Sequence, residues 1–175
     1  MVKRIGTSLM LALALSLSAC GGTDSSSGEQ GKRGEGVCSG QKCKFGQIAK
    51  FTATAGSGPS RAIEITVAAP ESFTPKKGPE VEGADQEDNV FFKVTIKNLS
   101  DTESWNPTIL TYLTSDGSDG SQIYTNEHCC AGMPEKVAPG KSATFRDEWS
   151  VADADDVIYR LDIDGLAGHS ITFTR

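Results

Sequence analysis

The sequence has few histidines, few aromatic residues and a deficit of positive charge. Of its 175 residues two are histidine, and aromatic residues make up 7%. Basic residues number 17 against 23 acidic ones, for a net charge of −6. This balance argues against a nucleic-acid-binding protein, because affinity for nucleic acid comes from Lys and Arg on phosphates. It also argues against a polybasic membrane-surface patch.

The short motifs that mark common enzyme classes are also missing. The chain contains no Gly-x-Ser-x-Gly, no His-Glu-x-x-His and no Cys-x-x-Cys. Gly140-Lys141-Ser142 matches only the end of a phosphate-binding loop, because Glu135 stands where the opening glycine belongs. Asp116–Gly120 is acidic like a calcium loop, but Ser121 replaces the required sixth-position glycine, which favours a hairpin tip. We therefore predict a protein that is not an enzyme and uses no cofactor and no metal.

The first twenty residues have the pattern of a lipoprotein signal peptide. A basic start at Lys3-Arg4 precedes an apolar run over 9–17, shorter than the roughly 20 residues that span a bilayer as a helix. The run ends in Leu17-Ser18-Ala19-Cys20, which resembles the lipobox of bacterial lipoproteins. The resemblance implies removal of residues 1–19 and attachment of a diacylglyceryl group to the Cys20 thiol. Because two acyl chains anchor a protein stably, we expect the protein on the lipid bilayer, at the outer face of the cell membrane.

The segment that follows is predicted to be a flexible tether. Residues 21–36 read GGTDSSSGEQGKRGEG and contain no apolar side chain. Such a segment cannot bury enough surface to offset its chain entropy, and its expected reach is about 20–25 Å. We therefore divide the chain into a signal peptide over 1–19, a lipidated Cys20 with a disordered linker over 20–36, and one folded domain over 37–175.

The rest of the chain alternates apolar and polar residues with a period of two, which predicts β-strands. In the clearest example, over 90–99, the residues that point inward are Val90, Phe92, Val94 and Ile96. In the strand over 143–151 they are Phe145, Trp149 and Val151. Further strands are predicted over 49–53, 63–67, 108–114, 122–125, 157–163 and 170–174. Seven or eight short strands with polar outer faces indicate an all-β sandwich of two antiparallel sheets.

Three segments resemble an immunoglobulin-like family. They are Phe91–Ser100, Ala138–Phe145 with its Pro-Gly turn, and Val157–Leu161. The family is the immunoglobulin-like "domain of unknown function" group carried by many Gram-positive lipoproteins, and it is related in fold to a small secreted mycobacterial β-sandwich antigen. The resemblance covers about residues 45–174 and implies an immunoglobulin-like β-sandwich outside the cell. It implies no catalytic residue, because the family has no agreed activity.

The five cysteines fall in three places: Cys20, Cys38 with Cys43, and Cys129 with Cys130. Outside the cytoplasm the last four can form two disulfides, with three possible connectivities. A bridge between adjacent cysteines closes a strained eight-membered ring. We therefore expect bridges between the two clusters, each stabilising the fold by about 4 kcal/mol in the chain-entropy treatment. The alternatives are a metal site that also uses His128 and a thiol-redox pair at Cys129 and Cys130.

The loop over 100–107 is a candidate recognition element, since it combines acidic side chains with Trp105 and Asn106. An exposed aromatic flanked by hydrogen-bond acceptors suits a cationic or polar partner surface. The alternative is that Trp105 folds back over the edge of the sandwich. The sequence thus predicts a membrane-anchored, non-enzymatic module that binds an unknown protein or envelope ligand and no nucleic acid. A thiol-redox or metal-binding envelope protein that uses Cys129 and Cys130 is the alternative.

Overall fold

The computed structural model of the chain is all-β. It describes residues 36–38, 40–54, 60–75, 81–125, 133–163 and 170–175. Within these ranges there are thirteen strands and no helix, hence no helix with the length and apolarity to cross a membrane. The strands are β1 (Lys42–Lys44), β2 (Ile48–Thr54), β3 (Ser60–Val67), β4 (Glu71–Ser72), β5 (Val81–Glu82), β6 (Asp88–Asn98), β7 (Ile109–Ser115), β8 (Ser118–Asp119), β9 (Ser121–Gln122), β10 (Tyr124–Thr125), β11 (Ser142–Val151), β12 (Val157–Ile163) and β13 (Ser170–Thr174).

The strands form two large sheets and a short ribbon. The first sheet has five strands in the order β1-β13-β12-β7-β8. The second sheet has the order β2-β3-β6-β11-β9, and β4 pairs with the first half of β6. β5 and β10 form a separate two-stranded ribbon. The two large sheets pack around one core, so the β-sandwich expected from the sequence is confirmed.

The central β6–β11 pair shows how the alternation of the sequence produces this core. In its antiparallel register Phe92 lies opposite Asp147, and Val94 lies opposite Phe145. Because successive side chains of a strand point to opposite faces, alternate residues of both strands are inward. The ring of Phe92 stacks on that of Tyr159 in the first sheet, with 4.4 Å between ring centroids. The predicted inward residues are all buried: Val90, Phe92, Val94, Ile96, Phe145, Trp149 and Val151.

Most of the strand predictions are confirmed, and β12 and β13 have the predicted bounds. β1, β4, β5 and β8 were not predicted, because strands of two or three residues are too short to show an alternation. β1 pairs with β13 in parallel, with Cys43 opposite Phe173, which corrects the expectation of purely antiparallel sheets. The segment that contains β1 runs along the outer edge of the last strand, and the buried Cys43 side chain extends the core there.

Asp116 and Gly117 form the hairpin tip that the sequence predicts. Ser115 lies opposite Ser118 across the β7–β8 hairpin, and φ is 47° at Asp116 and 73° at Gly117. Positive φ at both central residues is typical of a type I′ turn, which matches the twist of the paired strands. Glu127, which would take the twelfth position of a calcium-binding loop that starts at Asp116, lies outside the described residues.

Candidate binding surface

The outer face of the first sheet displays three large apolar side chains. Leu110 and Tyr112 on β7 are 49% and 41% exposed, and Ile158 on β12 is 45% exposed. Their strand neighbours Leu113 and Tyr159 are buried, so the alternation of each strand directs the three outward. Single exposed apolar residues need no explanation, whereas a group on one face is typical of an interaction site.

The strand register aligns basic side chains with these residues. Lys42 lies opposite Thr172, Thr172 opposite Arg160, and Arg160 opposite Tyr112, so one row crosses four neighbouring strands. With roughly 4.8 Å between strands, this row is about 14 Å long. Lys44 lies in the next row, opposite Thr174. We call this surface the basic-aromatic face and define it by six residues: Lys42, Lys44, Leu110, Tyr112, Ile158 and Arg160.

Arg160 is held in place at the centre of this face. Its guanidinium carbon lies 4.1 Å from the centroid of the Tyr112 ring. Its Nε lies 3.3 Å from the carboxylate of Asp162, which also accepts a hydrogen bond from the Ser170 hydroxyl. A guanidinium that stacks on an aromatic ring is weakly hydrated and keeps donors for a partner. Because the Arg160 side chain is 47% exposed, it can contact a partner without leaving the ring.

The outer face of the second sheet carries charges that neutralise one another. The ion pairs there are Lys50–Glu64, Lys97–Glu64, Lys93–Glu71 and Arg146–Glu148. The Lys50 ammonium donates to Glu64 at 2.7 Å, and this hydrogen bond is the main cause that holds the pKa of Glu64 below its usual value. On the basic-aromatic face Arg160 pairs with Asp162, whereas neither Lys42 nor Lys44 forms an ion pair with a described residue. The two outer faces therefore differ in ion pairing: the lysines of β1 have no ion-pair partner among the described residues, whereas each of these basic residues of the second sheet lies beside a glutamate.

A buried polar cluster fixes the strand that displays Ile158 and Arg160. Tyr159, which lies between them in the sequence, is fully buried and donates its hydroxyl to Asp147 Oδ2 at 2.6 Å. Gln122 Nε2 donates to Asp147 Oδ1 at 2.8 Å. Burial, and next the nearby Asp147 carboxylate, raise the pKa of Tyr159 well above its ordinary value of 10.0. The phenol therefore remains a donor, and the cluster joins β11 to β12 across the core.

Neither the basic-aromatic face nor the buried polar cluster was predicted, although each has a signal in the sequence. Asp147 lies two residues from Phe145 and two from Trp149, so the alternation that places those two inward also places Asp147 inward. Carboxylates are seldom buried unless they are paired, which is why this position is easily overlooked. Leu110 and Tyr112 occupy positions of β7 where the alternation predicts polar residues.

Trp105 lies in the core, so an exposed recognition role for it is wrong and the alternative, that it folds back over the edge of the sandwich, is confirmed. Its side chain is 1% exposed. Its backbone N–H donates to the Val137 carbonyl at 2.9 Å, and the Val137 N–H donates back at 2.7 Å. This two-way pairing ties the loop over 100–107 to the segment before β11 and turns the indole inward. Asn106 is exposed, and a binding role for it stays a prediction.

The structure joins Cys38 to Cys43 by a disulfide with 5.2 Å between their Cα atoms. The expected bridges between the two cysteine clusters are therefore wrong. The physical reason is the tight path of the chain: Cys38 and β1 lie at the same edge of the sandwich, so their side chains meet locally. The other predicted site residues, Cys20, His128, Cys129 and Cys130, lie outside the described residues. Among the described residues no three His, Cys, Asp or Glu side chains lie close enough together to hold a metal ion.

The similarity of this chain to known proteins is a similarity of fold. The chain matches no family model and no curated protein. MPT63, a secreted protein from Mycobacterium tuberculosis, superimposes with a TM-score of 0.56 at 14% identity, over 77% of this chain and 96% of that one. The yjhA protein from Bacillus subtilis has a TM-score of 0.44 at 18% identity, over 67% and 80% of the two chains. An uncharacterised β-sandwich protein from Clostridium difficile has a TM-score of 0.42 at 14% identity, over 77% and 93%.

The likeness to MPT63 shows a shared β-sandwich fold and nothing further, because the identity is 14%. It confirms the relation in fold to a secreted mycobacterial protein that the sequence resemblance implies. Membership of the immunoglobulin-like lipoprotein family stays a prediction.

Proposed function

We propose that this chain is a lipid-anchored β-sandwich module outside the cytoplasm that acts by binding and not by catalysis. The observation that carries the proposal is the basic-aromatic face, where three exposed apolar side chains surround an arginine stacked on tyrosine. Tyrosine and arginine on a rigid surface supply much of the binding energy at protein interfaces, because little conformational entropy is lost when they are covered. The function therefore resides on the outer surface of a sheet and not in an interior pocket.

Two features of the N-terminal part support the location. Leu17-Ser18-Ala19-Cys20 provides the small residues and the cysteine that lipidation requires. The disulfide between Cys38 and Cys43 suits an oxidising compartment, since structural disulfides are rare in the cytosol. A two-chain anchor at Cys20 and an oxidised domain both support a location on the outer face of the membrane.

Detergent phase partition of the full-length protein expressed in a bacterial host tests the anchor. We expect the wild-type protein in the detergent phase and Cys20→Ser in the aqueous phase or as an uncleaved precursor. The matched control is the double variant Cys38→Ala/Cys43→Ala, which removes two thiols but keeps Cys20 and should remain in the detergent phase. A Cys20→Ser protein that is cleaved and still partitions into detergent contradicts the proposed anchor.

The Cys38–Cys43 bridge also favours a second candidate function, a thiol-redox protein. Because the first cluster is closed on itself, Cys129 and Cys130 are left to pair with each other or to remain thiols. An adjacent pair of this kind can exchange with disulfides of other proteins. Thiol titration of the lipidated protein tests this candidate. Two thiols per chain that disappear with oxidised glutathione and return on mild reduction support it, and two inert thiols contradict it.

A further inference from the structure

We propose that the basic-aromatic face docks on an anionic lipid surface, so that the domain lies against the membrane to which Cys20 anchors it. This inference rests on the proposed anchor. It names the partner of the face as the headgroups of anionic lipids, through Lys42, Lys44 and Arg160, together with the interfacial layer that accepts Leu110, Tyr112 and Ile158.

The described chain enters the sandwich at one edge, and few residues separate this edge from Cys20 in the sequence. Val37 forms a bridge with Ile48 of β2, and β1 begins at Lys42. β1 and β2 are edge strands of the two different sheets. Residues 21–36 alone separate Cys20 from this edge, so the outer face of either sheet can reach the bilayer. The exposed apolar residues of the first sheet and the ion pairing on each face decide between them.

The basic-aromatic face has the charge and the side chains that an anionic membrane attracts. A basic residue near such a surface strengthens binding about fivefold. On the second sheet Lys93 and Arg146 each lie beside a glutamate and Lys50 and Lys97 share Glu64, so three glutamates offset four basic residues and weaken their attraction to lipid. On the first sheet Arg160 is offset by Asp162 in the same way, so the two lysines of β1, which form no ion pair with a described residue, supply the attraction to the headgroups.

The apolar residues of the face suit the interface of the bilayer. Tyr112 has an apolar ring and a polar tip, which is the chemistry favoured at headgroup depth. Leu110 and Ile158 lie on the neighbouring strands β7 and β12 and are exposed by about half. Three basic residues with three apolar ones bind weakly by themselves. A tethered domain needs no more, because a short linker holds it at an effective concentration in the millimolar range.

Acidic residues set the orientation of the docked domain. Asp116 and Asp119 lie at the β7–β8 hairpin, at the opposite edge of the same sheet from β1. Repulsion from anionic lipid keeps the hairpin turn off the surface, while the β1 edge stays on it. The net charge of −6 argues against a polybasic patch when the sequence is taken as a whole. The fold changes this conclusion because it separates the charges: the lysines of β1 lie on one edge and the acidic turn on the other.

Depth-dependent quenching of a tryptophan reporter tests the docking. The full-length lipidated protein is reconstituted into vesicles of phosphatidylcholine and brominated phosphatidylglycerol, with Ile158→Trp as the reporter. Thr52→Trp, on the outer face of the second sheet, is the matched control, and the native tryptophans are buried in both variants. We expect quenching of the tryptophan at 158 and little at 52, and we expect high salt to reduce it because salt screens exposed charges.

Charge variants show whether the lysines hold the face on the lipid. Lys42→Gln/Lys44→Gln in the Ile158→Trp background should lower the docking equilibrium about 25-fold, at about fivefold per lysine. Lys42→Arg/Lys44→Arg should retain the quenching. Equal quenching at positions 52 and 158, or equal quenching in brominated phosphatidylcholine alone, would overturn the inference.

Flotation of the vesicles separates this inference from the proposed function. If the protein floats with the vesicles but the tryptophan at position 158 is not quenched, the result supports the anchor and contradicts the docking. A chain that does not float contradicts the anchor, and the docking, which depends on it, falls with it.

Discussion

Tyr112 and Tyr159 show at the scale of single residues how the environment gives one residue type two roles. Tyr112 is 41% exposed and stacks under Arg160. Tyr159 is fully buried, stacks on Phe92 and donates to the Asp147 carboxylate. The first is available to a partner, and the second satisfies a carboxylate that the core would otherwise leave without enough donors.

Removal of the Tyr159 hydroxyl should destabilise the domain. In Tyr159→Phe the buried Asp147 loses a donor, and we expect the free energy of unfolding to fall by about 1–3 kcal/mol. Tyr112→Phe removes an exposed hydroxyl and should change it by less than about 0.5 kcal/mol. Urea denaturation of both variants measures the difference, and similar losses in the two would show that the Asp147 hydrogen bond contributes little.

The raised pKa of Tyr159 predicts that stability falls at high pH. In the unfolded chain this phenol ionises near pH 10, its ordinary value, whereas in the folded domain it ionises at higher pH. Above pH 10 the unfolded state therefore binds fewer protons than the folded state, so the free energy of unfolding decreases as pH rises. Urea midpoints between about pH 8 and pH 11 should fall more steeply in the wild-type protein than in Tyr159→Phe. Parallel curves would contradict the assignment.

Trp105 is a core residue, and its removal should affect stability. Trp105→Ala deletes one of the largest fully buried side chains, and we expect a loss of about 3–5 kcal/mol. Asn106→Ala, at the exposed neighbour, should be nearly neutral. Thermal melts of the two variants provide the comparison. An unchanged melting temperature of the Trp105→Ala protein would contradict the burial of Trp105 and would favour an exposed position for it in the loop.

At the scale of elements, turns and close approaches determine how the strands meet. Gly83 follows β5 with φ of 85°, and a Cβ placed there would lie 2.1 Å from the backbone oxygen of Gln122 in β9. Gly117, in the β7–β8 turn, has a similar φ of 73° but open space around it. The two glycines therefore share one backbone requirement and differ in packing.

Alanine at these two glycines should separate the two effects. We expect Gly117→Ala to cost about 1–2 kcal/mol, the penalty of a left-handed backbone for a residue with a Cβ. Gly83→Ala should cost more, because the β9 backbone must also move away. Urea midpoints of the two variants test this order. Equal losses of stability in the two variants would mean that the chain at Gly83 can move away from β9 at no cost in free energy.

At the scale of the whole molecule, the Cys38–Cys43 bridge joins the two large sheets at one edge of the described structure. Cys38 donates its backbone N–H to Ile48 of β2 at 3.0 Å, whereas Cys43 belongs to β1. The bridge therefore links a segment on the second sheet to a strand of the first. The basic-aromatic face begins at this edge. Because Cys43 lies between Lys42 and Lys44 in β1, the bridge also restrains the positions of the two lysines.

Loss of the bridge should have a moderate effect, because the loop that it closes is short. A sequence separation of 5 corresponds to about 2 kcal/mol in the chain-entropy treatment, about half of what a bridge between the two cysteine clusters would contribute. Cys38→Ala/Cys43→Ala should lower the free energy of unfolding by this amount. Non-reducing peptide mapping of the wild-type protein should yield the Cys38–Cys43 peptide. A peptide that joins either residue to Cys129 or Cys130 would contradict the pairing.

The sequence by itself determined the sandwich and most of its strands. Alternation of side chains is a local property of an extended chain, so 90–96 and 145–151 reveal their inward faces without knowledge of any partner strand. The Asp116-Gly117 turn is local for the same reason, since its positive φ values depend on the two residues in the turn.

Only the tertiary structure decided which residues meet. Lys42 and Tyr112 are seventy residues apart in the sequence, and they share a row because three strand pairings lie between them. Trp105 lies in a loop without periodicity, so its burial follows from the pairing with Val137 and not from any local pattern. Which cysteines pair depends on the distances between them in the fold, and their spacing in the sequence does not give those distances. Strand register and loop packing depend on contacts across the chain, and this is why the core could be predicted and the basic-aromatic face could not.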